Sequence, residues 1–191
     1  MPAASLLIGY HGTDLANVDS ILTDGYQASE GDDQWFGNGV YFFIKGLSSK
    51  PAYQAEQWAI VSAYDGKAER YRYREWGVIE STMDLEENVI FDLNKEEQRD
   101  YLTLLYRTMF EALRKYNSHV YGLTDGMVIN YAIRNGLLNV VAVLANVYIK
   151  LDVQSRKHRF NSRVPNCTIC AVRDTTKIID SKLLKNGRIS S

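Results

Sequence analysis

The chain has few of the residues that characterise several common protein classes. It contains two cysteines, three histidines and three prolines among 191 residues, and no apolar run is long enough to span a membrane. With so few prolines and no low-complexity segment, long disordered linkers are not expected. The N-terminus has no basic segment of the kind that opens a secretory leader. The sequence therefore predicts a single cytoplasmic domain covering residues 1–191 that makes no membrane contact.

Cysteine is not only scarce but also poorly placed for metal or redox chemistry. Cys167 and Cys170 form a Cys-x-x-Cys within an apolar stretch. A zinc site needs two more ligands, and a redox pair is normally found at the start of a helix. In a strand, residues three apart point to opposite faces, so the two sulfurs would not meet. We predict that both are buried small hydrophobic residues and that no metal is bound.

The residues that are abundant are apolar and aromatic, and the charge is unevenly distributed. Apolar residues make up 46% of the chain and aromatic residues 12%, which is enough to bury a core. The net charge is −1, yet residues 150–191 contain ten Lys or Arg and only three Asp. The C-terminal part is therefore basic. The overall charge gives no support for tight, sequence-blind binding to nucleic acid.

Two short apolar segments near the N-terminus carry the most information. Residues 6–13 read as a buried strand that contains His11 and ends at Gly12, where a ligand can approach the backbone. An amphipathic helix is predicted over 14–22, with Gly25 as its stop. A glycine-rich turn leads into a second buried strand over 39–44, which contains Tyr41. A helix is predicted to follow directly, beginning near Pro51.

The remainder alternates helical and strand patterns. A brief strand is predicted at 89–93, and amphipathic helices at about 96–116 and 125–133 form a helical insertion covering about 95–138. Residues 140–149 are apolar enough for a buried strand or a buried helix, and their β-branched content favours a strand near Tyr148. A late strand is predicted over 167–172. The aromatic stripe of the helix that ends at about residue 116 is expected to pack in the core rather than form a binding site.

Residues 8–59 resemble the His-Tyr-x branch of the ADP-ribosyltransferase fold, which includes poly-ADP-ribose polymerases and small bacterial toxins that modify DNA or RNA. The matching pieces are His-Gly-Thr at 11–13, the helix ending near Gly25, Gly-x-Gly-x-Tyr-Phe at 37–42 and Ser-Lys-Pro-Ala-Tyr at 49–53. Their order and spacing carry the resemblance, which fades beyond the first third of the chain. It implies an α+β fold with a split mixed β-sheet core and peripheral and inserted helices.

The resemblance also implies roles for individual residues in binding NAD, here a substrate. His11 would hydrogen-bond a ribose hydroxyl on the adenosine side, and the backbone of Gly12 would hold the nicotinamide carboxamide. Tyr41 would stack on the nicotinamide ring, with Tyr53 on its opposite face. The implied cofactor-binding set is His11, Gly12, Thr13, Gly39, Tyr41 and Tyr53.

A third catalytic residue is expected near the start of the late strand, where the family commonly has a glutamate. Here Asn166 is the first candidate and Thr168 the second. Strand alternation puts 166, 168 and 170 on the more polar face. Neither residue can act as a carboxylate base, although asparagine can hydrogen-bond a sugar hydroxyl. The acceptor must then be a good nucleophile or be activated by another group.

The densest basic segment lies just before that strand, over residues 154–163. In the family this loop presents the acceptor substrate, and the residues expected to do so are Arg156, Lys157, Arg159, Phe160 and Arg163. Arginine, lysine and an aromatic ring suit phosphate contacts and base stacking. Two other readings stay open: an ordinary solvated loop that balances the acidic N-terminal part, or arginines that pair with the NAD pyrophosphate.

These features predict an NAD-dependent mono-ADP-ribosyltransferase that releases nicotinamide and modifies nucleic acid, either RNA or single-stranded DNA. The resemblance is to stand-alone toxins or phage-defence effectors, so a neutralising antitoxin protein is a possible partner. The alternatives are a protein mono-ADP-ribosyltransferase, an NAD glycohydrolase, and an inactive module that binds NAD or ADP-ribose.

Overall fold

The computed structural model describes residues 5–31, 34–116 and 122–190 as strands and helices arranged around one large sheet. In chain order these elements are β1 (Ser5–Asp14), α1 (Val18–Asp24), β2 (Val40–Ile44), α2 (Pro51–Ser62), β3 (Tyr64–Asp65), β4 (Arg70–Tyr71), β5 (Glu75–Leu85), β6 (Ile90–Asp92), α3 (Glu96–Arg114), α4 (Asp125–Arg134), β7 (Ala142–Val147), α5 (Val153–Lys157), β8 (Cys167–Val172) and β9 (Ile178–Arg188). Short 3-10 turns precede α1, β6 and β9.

The main sheet has seven strands in the order β6-β7-β8-β2-β1-β5-β9. Strands β6 and β7 run parallel, and the other neighbouring strands are antiparallel. Strands β3 and β4 form a separate two-stranded hairpin. A mixed, mostly antiparallel sheet with helices outside it confirms the predicted α+β class.

The sheet divides at its middle, between β1 and β2. These strands are paired at Gly9 with Ile44 and at Tyr10 with Phe43. Beyond this point β1 continues along β5 as far as Asp14, while β2 runs along β8 back to Val40. The two strands diverge like the arms of a fork, and we call this point the fork.

Helix α2 lies directly across β1 because Gly12 has no side chain. A Cβ atom added to Gly12 would lie 1.9 Å from the carbonyl oxygen of Ala55 and 3.2 Å from the Cβ of Ala59. No side chain fits in that space without moving the helix. Gly12 therefore fixes how closely α2 approaches the fork.

The core has two parts, one on each face of the sheet. Helices α2, α3 and α4 pack on the face that carries Cys167 and Ile169, whereas Cys170 belongs to the opposite face with Phe42 and Met83. Both cysteines are buried, as predicted, and burial raises the pKa of both thiols to about 12. They are therefore neutral, unreactive groups at physiological pH.

Four segments either differ from the sequence-based expectation or decide between its alternatives. Strands β5 and β9, which complete the sheet beyond β1, were not predicted. Residues 142–147 form a strand, which confirms the preference for a strand over a helix. The segment predicted as a loop over 154–163 begins instead with helix α5. His119 lies outside the described residues, and none of the described helices is both long and apolar enough to cross a membrane.

Candidate functional site

A cavity of about 360 Å³ opens at the fork. Its size is within the range typical of small-ligand sites, about 300–1,000 Å³. Aromatic and aliphatic side chains form most of its wall. We call it the fork cavity, and its lining residues are His11, Gly12, Gln34, Trp35, Tyr41, Phe42, Phe43, Trp58, Ile149 and Ile169.

His11 is held across the fork by the opposite strand. Its Nδ1 donates a hydrogen bond of 2.9 Å to the carbonyl oxygen of Tyr41. The ring also meets Tyr26 and Phe42 edge-on, with centroid distances of 5.4 and 5.9 Å. Burial lowers the pKa of His11, and the bond to the backbone offsets this only in part. His11 is therefore neutral at pH 7, with Nε2 as a hydrogen-bond acceptor.

Tyr41 presents its ring to the cavity while its hydroxyl is engaged elsewhere. The hydroxyl donates to the carbonyl oxygen of Gly37 at 2.7 Å and accepts from the backbone N–H of Phe36 at 2.9 Å. Both bonds join Tyr41 to the loop that leads into its own strand. The hydroxyl therefore orients the ring, and Tyr41 lines the fork cavity.

That loop, residues 34–39, is anchored from helix α4 by a buried asparagine. Asn130 is 4% exposed. Its Oδ1 accepts from the backbone N–H of Asn38 at 2.9 Å and from Arg173 at 3.1 Å. Its Nδ2 donates to the Asn38 side chain at 3.0 Å and to the carbonyl oxygen of Gly31 at 3.3 Å. One side chain thus fixes the loop that carries Trp35 and orients Tyr41.

Asn130 was not predicted to be in the site, although its position in an apolar helical segment indicates a buried polar side chain. It lies in a helical segment where Val128, Ile129 and Ala132 are buried, so a polar side chain there requires partners. Helix α4 also approaches the loop closely, since a Cβ on Gly126 would lie 1.8 Å from the carbonyl oxygen of Gln34. Both observations show that α4 supports residues 34–39. We call this loop, whose residues Gln34 and Trp35 line the fork cavity, the roof of the cavity.

The second aromatic wall comes from Trp58 rather than from Tyr53. Trp58 lines the fork cavity, whereas Tyr53 is 54% exposed on the outer side of the same helix and does not line it. The two positions are five apart, which is about 1.4 turns at 3.6 residues per turn, so their side chains lie about 140° apart around the helix axis. The structure therefore does not bring Tyr53 together with the other predicted NAD-binding residues at the fork.

Arg156 covers the other face of Trp58. Its guanidinium carbon lies 5.2 Å from the centre of the indole ring, within cation–π range. Its Nη1 donates to the carbonyl oxygen of Val61 at 2.9 Å, and its Nε donates to that of Lys150 at 3.3 Å. Arg156 was predicted to bind the acceptor, but these contacts make it a support of the cavity wall.

Two other predicted NAD-binding residues serve local structure. The backbone N–H and carbonyl of Gly39 are both bonded to the backbone of Ser29, at 3.0 and 3.1 Å. The hydroxyl of Thr13 accepts from the side chain of Asn17 at 3.3 Å. Neither Gly39 nor Thr13 lines the fork cavity.

The candidates for a third catalytic residue are also occupied. The side-chain amide of Asn166 exchanges two hydrogen bonds of 2.9 Å with the backbone of Ile149. Thr168, 4% exposed, donates to Asn146 at 2.7 Å and accepts from the backbone N–H of Leu47 at 2.9 Å. The face of β8 that meets the cavity is that of Ile169, opposite to Thr168.

The polar face of β8 therefore does not indicate the catalytic face, because the side chains of Asn166 and Thr168 are hydrogen-bonded within the protein. Among the described residues that line the cavity there is no carboxylate. The polar side chains there are His11 and Gln34. Gln34 was not predicted, and no sequence pattern around it marks it.

The remaining predicted acceptor residues lie outside the cavity. Lys157 and Arg159 line a separate groove, described below. Phe160 is 54% exposed and stacks on His158, with ring centroids 6.0 Å apart and planes inclined by 27°. Arg163 is exposed in the following loop.

Comparison with known proteins adds one distant relative. No protein-family model matches the chain. An uncharacterised protein of the archaeon Methanocaldococcus jannaschii is similar, with 25% identity over 173 residues, covering 83% of this chain and 76% of the relative. This similarity assigns neither a family nor an activity, so function rests on the geometry of the site.

Proposed function

We propose that this protein is an NAD-dependent mono-ADP-ribosyltransferase that releases nicotinamide in the fork cavity. One observation carries the proposal. His11 and Gly12 on β1 and Tyr41 on β2 are predicted from the sequence to bind NAD, and all three line the same cavity at the fork. The wall that they share is aromatic, as a site for a flat heterocycle needs to be.

The cavity suits a reaction in which the nicotinamide leaves before the acceptor is fully bonded. The rings of Tyr41 and Trp58 would hold the pyridinium between them, and the backbone of Gly12 would fix its carboxamide. With the base clamped, the bond between C1′ of the ribose and the ring nitrogen can lengthen toward an oxocarbenium-like state. Positioning and electrostatics then supply most of the rate enhancement.

His11 contributes as a neutral hydrogen-bonding group. Since its Nδ1 proton is committed to Tyr41, Nε2 is free to accept a hydrogen bond from a ribose hydroxyl. Gln34 is placed to offer a second polar contact within the same cavity. Because no carboxylate lines the described wall, the acceptor must be a competent nucleophile without a general base from this site.

The proposal is tested with NAD carrying a label in its adenylate half. The protein is incubated with separate RNA, single-stranded DNA and protein pools, and both free nicotinamide and labelled polymer are measured. We expect label in one pool together with an equal amount of nicotinamide. Free ADP-ribose alone would instead identify a glycohydrolase.

Matched variants tie any activity to the cavity. Tyr41→Ala and His11→Ala are expected to lower nicotinamide release at least about 100-fold, because each removes a ligand contact from the wall. Tyr53→Ala, on the outer side of α2, serves as the control and should retain full activity. Wild-type turnover that persists in both cavity variants, or no NAD binding by calorimetry, would overturn the proposal.

A further inference from the structure

A second concave surface lies on the other side of the Trp58 and Arg156 pair. It is a groove of about 760 Å³ between the β3–β4 hairpin and helix α5. Most of its charged side chains are basic. We call it the basic groove, and its lining residues are Val61, Tyr64, Asp65, Gly66, Lys67, Glu69, Arg72, Val153, Arg156, Lys157 and Arg159.

Three of its cations form no ion pair in the part of the chain that the structure describes, although Lys67 lies near enough to Asp65 to help lower the pKa of that carboxyl. Lys67, Lys157 and Arg159 make no ion pair with any described residue. Asp65 is engaged by its own turn, accepting from the backbone N–H groups of Lys67 and Ala68 at 2.9 and 3.1 Å. These bonds hold the pKa of Asp65 below its usual range. The basic groove therefore has unpaired positive charge available to a ligand.

The backbone of the groove is also unusual on both of its walls. Glu69 and Arg159 adopt positive φ values of 49° and 54°, in the left-handed region that non-glycine residues seldom occupy. Glu69 belongs to the hairpin and Arg159 follows α5. Such conformations tend to occur where a binding surface depends on them.

Two aromatic features lie next to the basic groove. The exposed ring of Phe160, stacked on His158, follows directly after Arg159. Trp58 lines the fork cavity while Arg156, which covers it, lines the groove. The groove and the cavity are therefore separated by one stacked pair of side chains.

We infer that the basic groove binds the backbone of a single-stranded nucleic acid and that this strand is the acceptor. The inference rests on the function proposed above for the fork cavity. Lys67, Lys157 and Arg159 would contact successive phosphates, and the ring of Phe160 would stack on a base. The hairpin provides one wall of the groove, and no sequence pattern connects the hairpin with the acceptor.

A nucleic acid fits these features better than an acidic peptide does. Unpaired cations on two opposing walls match a flexible chain of phosphates, and an exposed stacked ring matches an unpaired base. The side chains of Asp and Glu offer no aromatic ring to stack on Phe160. Because the whole chain carries a net charge of −1, the attraction is local to the groove.

Binding is measured by fluorescence anisotropy with a labelled 12-nucleotide single-stranded RNA in the absence of NAD. The triple variant Lys67→Gln, Lys157→Gln and Arg159→Gln should bind at least about 10-fold more weakly. The slope of log affinity against log salt should fall by about 2, as expected for about three lost phosphate contacts. The control is Arg107→Gln, Arg114→Gln and Lys115→Gln, which removes equal charge from exposed positions at the end of α3.

Phe160→Ala should weaken binding about fivefold without altering the salt slope, since it removes stacking but no charge. Equal affinities of the groove triple and the α3 triple would overturn the inference. So would tighter binding of a poly-glutamate peptide than of the RNA.

The two proposals fail in different ways. Nicotinamide release without RNA binding in the groove removes the acceptor site and leaves the transferase proposal standing. RNA binding in the groove without any nicotinamide release removes the transferase proposal, and the acceptor role is lost with it. Tyr41→Ala should lose turnover while binding RNA as tightly as the wild type, which separates the two surfaces within one protein.

Discussion

The fork cavity and the basic groove lie on opposite sides of Trp58 and Arg156 but are built in opposite ways. Side chains of the cavity are mostly apolar, and His11 and Tyr41 are tied to the backbone by hydrogen bonds of 2.7–2.9 Å. The groove is lined by charged side chains, several of them unpaired within the described residues.

This difference matches the demands of the two proposed substrates. Breaking a bond to a charged heterocycle benefits from a rigid, water-poor site in which dipoles are fixed before the reaction. Holding a long polyanion requires open, mobile cations that can follow its backbone. A single cation–π pair lets one chain provide both environments side by side.

Among the variants that test this comparison, the largest effect is expected from the one that removes the aromatic side chain between the cavity and the groove. Trp58→Ala should lower kcat/KM for NAD about 30-fold or more, because roughly 2 kcal/mol of aromatic contact is lost. Tyr53→Ala, on the same helix but facing solvent, should change it less than twofold. Steady-state nicotinamide release measures both. Equal losses would mean that α2 is oriented differently from this structure.

The next largest effect concerns the roof of the cavity. Asn130→Ala removes the partner of four polar groups and leaves several buried and unsatisfied, so the free energy of unfolding should fall by about 2–3 kcal/mol. KM for NAD should rise as the loop that carries Trp35 loosens. Asn135→Ala, at the exposed end of the same helix, should cost well under half as much in urea denaturation.

A substitution of Arg156 tests whether this residue, which lies between the cavity and the groove, contributes more to NAD binding or to RNA binding. Arg156→Met keeps a long apolar side chain but removes the cation over Trp58 and two bonds to backbone carbonyls. NAD affinity by calorimetry should fall about 5- to 10-fold, whereas RNA affinity should fall less than in Lys157→Gln. The reverse ranking would make Arg156 an acceptor-binding residue, as the sequence alone indicated.

Part of the site could be predicted from the sequence and part could not. Residues that belong to a local sequence pattern were predicted to be in the site, whereas residues whose position depends on contacts with distant parts of the chain were not. His11 and Gly12 lie in one short apolar strand and Tyr41 lies in another, two residues after Gly39, and that local pattern singled out three residues that line one cavity. Trp58 and Asn130 act across the fold, and their roles follow from helix placement. Asn166 does not line the cavity, because alternation along a strand identifies its polar face but not which face meets the cavity.

The fold shows the same division. Helices α2, α3 and α4 and strands β1, β2 and β8 follow from periodicity and from Pro51 and Gly12. Strand β5 lacks simple alternation, since its residues from Trp76 to Ile79 are all buried. Strand β9 is largely exposed and basic, so its pairing depends on β5 rather than on its own apolar content.

The smallest expected effect is a change of stability with pH that depends on His11. Its pKa in the folded protein is lowered by burial, so between that value and about 6.5 the unfolded chain binds more protons than the native one. Its contribution to stability is complete above about pH 6.5 and is lost as the pH falls below it. Urea denaturation of the wild type and of His11→Asn from pH 7 to pH 5 measures the difference. A difference that is constant with pH would show that His11 is not buried as a neutral ring.

The central claim is that the fork cavity holds the nicotinamide end of NAD. The most direct test is a crystal structure with a non-hydrolysable NAD analogue. We predict that the nicotinamide ring lies between Tyr41 and Trp58, with its carboxamide on the backbone of Gly12 and a ribose hydroxyl within 3.2 Å of His11 Nε2, a normal hydrogen-bond distance. A nicotinamide ring bound outside the fork cavity would contradict the account.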